Sequence, residues 1–129
     1  MLNGSLYPCR WGKALEVACG EAYVSSEVFP GFFNEIHLFD QCKHVMMNIV
    51  PDKIRQLPSS TMKTFKPKIA TIDGYKQPDN TKFDLILFRY CLGYLFSEKE
   101  AAYQLYRYKK MLDRFENLGP DTPQTHIIV

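Results

Sequence analysis

Apolar residues fall along this chain in short runs and in stripes of helical spacing. Ala14, Leu15, Val17 and Ala18 form a run interrupted by Glu16, which predicts a strand near residues 14–18. A small-residue turn follows, with Gly20 and Ala22 two apart, and YVSSEVF at 23–29 predicts a first helix that Pro30-Gly31 breaks. EIHLF at 35–39 predicts a second strand ending on Asp40. Val45, Met46, Ile49, Val50 and Ile54 lie at helical spacing across 43–57, and Pro51 predicts that this helix ends or restarts there. Residues 58–67 read as a loop, 68–72 as a short third strand closed by Asp73-Gly74, and YKQPDNTK at 75–82 as turns. FDLILF at 83–88 is the clearest buried strand, and 89–96 is the loop after it. Ser97-Glu98-Lys99-Glu100 reads as a capping box. The helix it opens carries Ala101, Leu105, Tyr108, Leu112 and Phe115 as one core stripe, with Tyr103 and Tyr106 on the opposite face. Leu118-Gly119-Pro120 ends that helix, and 125–129 predicts a last strand. Residues 1–12 look irregular, with Trp11 expected to pack against the first strand.

The predicted order is β-α-β-α-β-β-α-β. Such alternation argues an α/β fold: a mostly parallel sheet with helices on its faces. At 129 residues the expectation is a single domain, 1–129, with no internal repeat. A hydrophobic share of 46% supplies a core, and a formal charge of +2 with pI about 8.3 is too mild to argue for nucleic acid. The most basic stretch holds Lys53, Arg55, Lys63, Lys66 and Lys68; a solvated face is the default, contact with an acidic partner the alternative. No apolar run reaches the roughly 18 residues of a membrane span, and MLNGSLYPCRWG has no secretory apolar core. Cys9, Cys19, Cys42 and Cys91 stand singly and read as free thiols of a reducing compartment, so an intracellular location, cytoplasmic or nuclear, is expected. His37, His44 and His126 have no partner at metal spacing, and no metal is expected.

Candidate chemistry begins at KALEVACGEAY, residues 13–23. Strand, tight small-residue turn and helix open a nucleotide-type α/β unit. Small residues let the backbone pass close to a ligand, and the helix start offers unpaired N–H groups. Cys19 and Glu21 do not suit a phosphate loop; Glu21 would repel a pyrophosphate and tolerate a cationic or zwitterionic ligand. An ordinary strand-to-helix turn is the other reading of the same residues. Asp40 follows the turn by roughly 20 positions, where a carboxylate at the end of the neighbouring strand accepts both ribose hydroxyls. The same Asp suits a helix cap, and one residue can do both.

Four stretches resemble, in order, those of the S-adenosylmethionine-dependent methyltransferases. KALEVACGEAY resembles the first motif, an acid followed by spaced glycines; HLFDQ the second strand with its terminal acid; ATIDGY the third-strand end that touches adenine. FDLILFRYCLGYLFSEKEAAYQLYRYKKML resembles the fourth strand, the active-site loop and the next helix. Within that class the chain looks most like the protein α-N-terminal methyltransferases. The resemblance covers residues 13–129.

It implies a Rossmann-like class I methyltransferase sheet, mostly parallel and lacking the last two strands. It implies S-adenosyl-L-methionine as cofactor, held by Glu16, Ala18, Gly20, Ala22, Asp40, Gln41, Ile72 and Asp73. Glu16 would lie near the methionine amino group, Asp40 on the ribose, and Ile72 and Asp73 beside adenine. Arg89, Tyr90 and Tyr94 would line the acceptor side, the substrate being the N-terminus of a protein or peptide. The chain departs from the pattern in three ways: the first and third glycines are Ala18 and Ala22, the loop histidine is Tyr94, and family residues past the fifth strand have no counterpart before Val129. The expectation is therefore a truncated, partly degenerate domain, poorly active by itself. The alternative is an inactive methyltransferase-fold subunit whose partner completes the sheet. A nucleic-acid role rests only on the basic stretch.

Overall fold

The computed structural model describes residues 12–58, 64–88, 96–112 and 126–128. Its strands are β1 (Lys13–Val17), β2 (Glu35–Asp40), β3 (Thr64–Ile69), β4 (Leu85–Phe88) and β5 (His126–Ile128). They lie in the order β3-β2-β1-β4-β5, and every pairing is parallel. In register, Ala14 stands beside Ile36 and Leu85, and Val17 beside Phe39 and Phe88. Successive side chains of a strand point to opposite faces, so this register sorts the apolar residues into two layers. Leu15, Val17, Phe39, Ile86 and Phe88 pack with Phe83, Tyr108 and Met111 on one face. Ala14, Ile36 and Leu38 pack with Phe29, Phe33, Met46 and Val50 on the other. Covering on both faces explains why β1 and β4 read as near-continuous apolar runs.

The helices follow the sequence signals closely. Helix α1 (Tyr23–Glu27) is shorter than its apolar pattern, and a 3₁₀ turn over Phe29–Gly31 holds Pro30. Pro51 acts within its helix as expected. Its missing N–H cannot bond one turn back, and the preceding turn, Val45–Ile49, widens to π geometry with the Val50 N–H donating to the Val45 carbonyl. Helix α2 (Val50–Arg55) then starts with Pro51 in its first turn, where a proline costs no hydrogen bond. Helix α3 (Glu98–Lys109) opens on a complete capping box: the Glu100 N–H donates to Ser97 Oγ at 3.3 Å, and the Ser97 N–H to Glu100 Oε1 at 3.4 Å. Tyr108 is fully buried, whereas Tyr103 and Tyr106 are exposed, as the stripe requires.

The third strand corrects the sequence reading. It runs from Thr64 to Ile69, through residues expected to be loop, and Ile72 and Asp73 lie in the turn beyond it. β3 is the sheet's edge, five of its six residues are exposed, and it contains Lys66, Pro67 and Lys68. An edge strand has one unpaired side, so Pro67 loses no ladder bond there, and polar residues replace the apolar pattern that marks inner strands. The fourth strand is also shorter than the 83–88 run. Phe83 instead bridges Leu112, its N–H donating to the Met111 carbonyl at 2.8 Å, which ties the start of β4 to the end of α3. The expected positions of Trp11, Phe115 and the 118–120 helix stop lie outside the described residues.

Candidate functional site

The turn after β1 keeps an unusual backbone. Ala18, Gly20 and Ala22 have φ of 54°, 55° and 61°, all in the left-handed region. Only glycine enters that region without steric cost; an L-residue pays about 1–2 kcal/mol. The turn thus holds the shape of a three-glycine loop although two of the three positions are alanine. Ala22 is the N-cap of α1 and offers no side-chain cap. Glu16 substitutes for it: fully buried beneath the turn, its Oε1 accepts from the Ser25 N–H at 3.0 Å and from Ser25 Oγ at 2.7 Å. Ser25 is the third residue of α1, so this carboxylate satisfies a donor that an ordinary cap would take. Glu21, the acid that would oppose a phosphate, is exposed and 3.9 Å from Lys53 Nζ.

Asp40 closes the turn from the neighbouring strand. Its Oδ2 accepts from the Gly20 N–H at 3.0 Å and its Oδ1 from the Cys42 N–H at 2.9 Å. The second bond closes a turn over residues 40–42, just ahead of the helix that begins at 43, in place of the helix cap expected; the first ties the turn after β1 to the end of β2. A carboxylate has about four acceptor sites, so two backbone donors leave room for more.

Beyond these loops a cavity of about 420 Å³ opens at the carboxyl ends of β1, β2 and β3. This lies beside the point where the strand order reverses, between β1 and β4, which is where open α/β sheets bind ligands. Its walls are Ala18 from the turn, Phe39 and Asp40 from β2, Gln41 just after it, the 70–73 segment after β3, and Phe96 ahead of α3. Of the expected cofactor residues, the structure brings Ala18, Asp40, Gln41, Ile72 and Asp73 to this cavity. Glu16, Gly20 and Ala22 are not among its described lining: Gly20 and Ala22 belong to the turn, and Glu16 is buried with its carboxylate on Ser25. Arg89, Tyr90 and Tyr94, expected on the acceptor side, lie outside the described residues.

The loop after β3 is held by side chains that the sequence did not single out. Tyr108 donates its hydroxyl to the Ile72 carbonyl at 2.8 Å, and Arg107 donates to the carbonyls of Ile72 and of Tyr75, the latter at 3.1 Å. Gln104 Nε2 donates to Asp73 Oδ1 at 2.7 Å, and Arg107 Nε to Gln104 Oε1 at 3.1 Å. The ring of Tyr75 stacks on Phe39 at 4.3 Å. Its hydroxyl is buried with no hydrogen-bond partner among the described residues, and that burial pushes the phenol pKa up. Sequence marked Tyr108 as core and gave Gln104 and Arg107 no role. Their i,i+3 spacing is ordinary on a helix, and nothing local says which distant loop they meet.

Other candidates are settled by position. The basic stretch divides: α2, with Lys53 and Arg55, packs on the Val50 face, and Arg55 pairs with Asp52. Lys66 and Lys68 stand in register with His37 and Phe39, on the opposite face. Cys42 is an exposed thiol, and the buried Cys19 thiol donates to the Gly20 carbonyl at 3.5 Å. Among the described residues there is no metal-binding cluster, and no helix is long and apolar enough to cross a membrane.

A five-stranded parallel sheet in this order, with a left-handed turn after β1 and an acid ending β2, has the fold of the S-adenosylmethionine-dependent methyltransferases. Three solved structures illustrate the likeness. A methyltransferase of this kind from Clostridium acetobutylicum matches with a TM-score of 0.66 and 19% identity, covering 81% of this chain and 40% of its own. One from Leishmania major matches at 0.65 and 17%, covering 91% and 41%. The N-methyltransferase NodS from Bradyrhizobium japonicum, in complex with S-adenosyl-L-homocysteine, matches at 0.64 and 16%, covering 79% and 47%. The chain thus spans less than half the length of each. No protein-family model matches the sequence, and no curated protein matches it.

Proposed function

We propose that this chain forms the cofactor-binding part of an S-adenosylmethionine-dependent N-methyltransferase acting on the N-terminal amine of a protein or peptide. The observation that carries the reading is the left-handed backbone at Ala18, Gly20 and Ala22. A fold that keeps a strained turn without the glycines that would relieve it is holding that backbone for a ligand. The residues around the cavity fit the cofactor. Asp40 has acceptor capacity for ribose hydroxyls, Gln41, Ile72 and Phe96 offer walls for a flat base, and Ala18 lets the turn come close. A volume of about 420 Å³ falls within the range of small-molecule sites. The cofactor, when bound, supplies the chemistry: a methyl group on a positively charged sulfur. The chain's task is to hold it, to align a neutral amine with the methyl carbon and to exclude water.

The substrate class rests on the resemblance of the 83–112 segment to the α-N-terminal methyltransferases, which places Arg89, Tyr90 and Tyr94 on the acceptor side. An α-amine must lose its proton before it attacks, and a phenol with pKa near 10 is a poor base at neutral pH. Tyr94, standing where that family has a histidine, therefore predicts slow transfer by this chain. The test is transfer of labelled methyl groups to peptides with varied N-termini. The reading expects labelling of free N-termini, none of N-acetylated ones, and slow turnover. Equal labelling of blocked peptides refutes the substrate class, and rapid turnover that disappears in Tyr94→Phe refutes the account of the loop.

A further inference from the structure

We propose that Ser25 is a positioning residue for the cofactor: its hydroxyl, bound to Glu16, locks the turn after β1 in a ligand-ready shape that two alanines oppose. The inference rests on the reading of the cavity as a cofactor site and adds what keeps one wall of it in place. Ser25 is fully buried and is not among the described residues that line the cavity, so it acts through the turn.

Residues 18–22 join two fixed points. At one end β1 finishes at Val17, paired on both sides within the sheet. At the other end α1 begins at Tyr23. Between them Ala18, Gly20 and Ala22 are left-handed, and at two of these positions a side chain opposes that backbone. Such strain persists only where surrounding contacts over-determine it. The bonds of Ala22 itself are local: its N–H donates to the Cys19 carbonyl, and its carbonyl accepts from the Ser26 N–H, both at 2.9 Å. Neither sets where α1 stands relative to β1. Ser25 does. Its N–H and its hydroxyl donate to one oxygen of Glu16, at 3.0 and 2.7 Å, and Glu16 belongs to β1. Two donors on one acceptor fix the backbone and the side chain of Ser25 together. Relaxation of Ala18 or Ala22 to an ordinary backbone conformation redirects the chain, carries α1 away from β1 and breaks both bonds. Both residues of the pair are fully buried, so water does not replace what is lost.

A serine that only satisfied the buried Glu16 would leave a different signature. Ser25→Ala removes the hydroxyl bond, keeps the backbone bond and leaves no buried donor unpaired, so the chain still folds. If the hydroxyl holds the turn against its strain, the relaxed turn becomes populated and the folded chain binds ligand less tightly. Ala22→Gly removes strain at its source, so the turn needs less holding and the loss is recovered. If Ser25 served Glu16 alone, glycine at position 22 would recover nothing.

The experiment measures binding of S-adenosyl-L-homocysteine by calorimetry to the full 129-residue chain, Ser25→Ala, Ala22→Gly and the double variant. Ser25→Ala should weaken binding about three- to tenfold, the scale of one hydrogen bond to a charged group less what the other contacts of the turn absorb. Ala22→Gly should improve affinity by a larger factor in Ser25→Ala than in the unaltered chain, recovering most of the loss. Hydrogen-exchange protection of the Ser26 amide, measured without ligand, should follow the same pattern, falling in Ser25→Ala and returning in the double variant. Equal affinity of the unaltered chain and Ser25→Ala, or a glycine effect of the same size in both backgrounds, overturns the proposal and leaves the cofactor reading standing. If the unaltered chain binds no ligand, the cofactor reading fails by itself, and Ser26 protection still decides the lock: unchanged protection in Ser25→Ala overturns it.

Discussion

Replacing Ala18 by glycine should stabilise the chain, against the usual effect of adding a glycine. At φ 54° the alanine carries a left-handed penalty of about 1–2 kcal/mol. Glycine removes it but returns about 0.4–1 kcal/mol as extra freedom of the unfolded chain. Ala18 is only partly buried, so its lost methyl costs less than the full ~0.8 kcal/mol of a buried carbon. The balance for Ala18→Gly is a gain of about 0.5 kcal/mol. Ala22 has the same strain, with φ of 61°, but it is 2% exposed and packs against the Phe29 cluster. Its methyl is worth the full ~0.8 kcal/mol, which cancels the relief. Ala22→Gly should therefore be neutral or slightly destabilising. Gly20→Ala meets no atom within 4 Å, so strain alone acts, and a loss of about 0.5–1 kcal/mol is expected. Urea denaturation of the three variants reads these differences directly. Ala18 also lines the cavity, so its glycine variant should bind the cofactor no more weakly. A loss of more than 1 kcal/mol in Ala18→Gly, with Gly20→Ala unaffected, would show that the turn is not strained in this way.

Two further expectations concern the rest of the sheet. His37 is buried, which lowers its pKa below 6.5 despite a 2.6 Å hydrogen bond to Glu35. Burial alone would raise Glu35, but His37 and Lys13 outweigh it and lower its carboxyl pKa. Both groups bind protons more readily when unfolded, so stability should be full at neutral pH and fall as pH drops below 6.5, with Glu35 adding to the loss below 4.5. In His37→Gln the slope between pH 7 and 5 should flatten; an unchanged slope in urea titrations would place the sensitivity elsewhere. Phe83→Ala should cost about 3–5 kcal/mol, because the ring is fully buried against His37 and the α3 layer; a midpoint shift worth under 1 kcal/mol would mean the two layers are not joined there.

What the sequence made legible is the part governed by local chemistry. β1, β2 and β4 announce themselves because both sheet faces are covered. The capping box at Ser97 and the restart at Pro51 follow from hydrogen bonds within one turn of chain. Asp40 is legible as the end of β2, because a strand's terminal acid follows its apolar run. β3 was misplaced because an edge strand need not be apolar, and Pro67, a breaker elsewhere, is permitted on its free side. The strained turn was visible only as a deviation: two alanines where glycines were wanted, whose φ angles no composition reveals. Glu16 was expected near the ligand, and the structure shows its carboxylate on Ser25, a contact set by how α1 returns over the sheet. Gln104 and Arg107 escaped notice because their partners lie 31 to 35 positions away in the chain.

The central claim is that this segment binds the cofactor through the loops at the ends of β1, β2 and β3. Calorimetry of S-adenosyl-L-homocysteine against the unaltered chain and Asp40→Ala tests it most directly. Asp40 joins the Gly20 N–H to the second strand and keeps acceptor sites towards the cavity. The account predicts measurable binding that weakens by about 1–3 kcal/mol in Asp40→Ala, the usual loss of hydrogen bonds to a charged group. No heat of binding from the unaltered, folded chain at millimolar ligand, or equal affinity in both proteins, would contradict it.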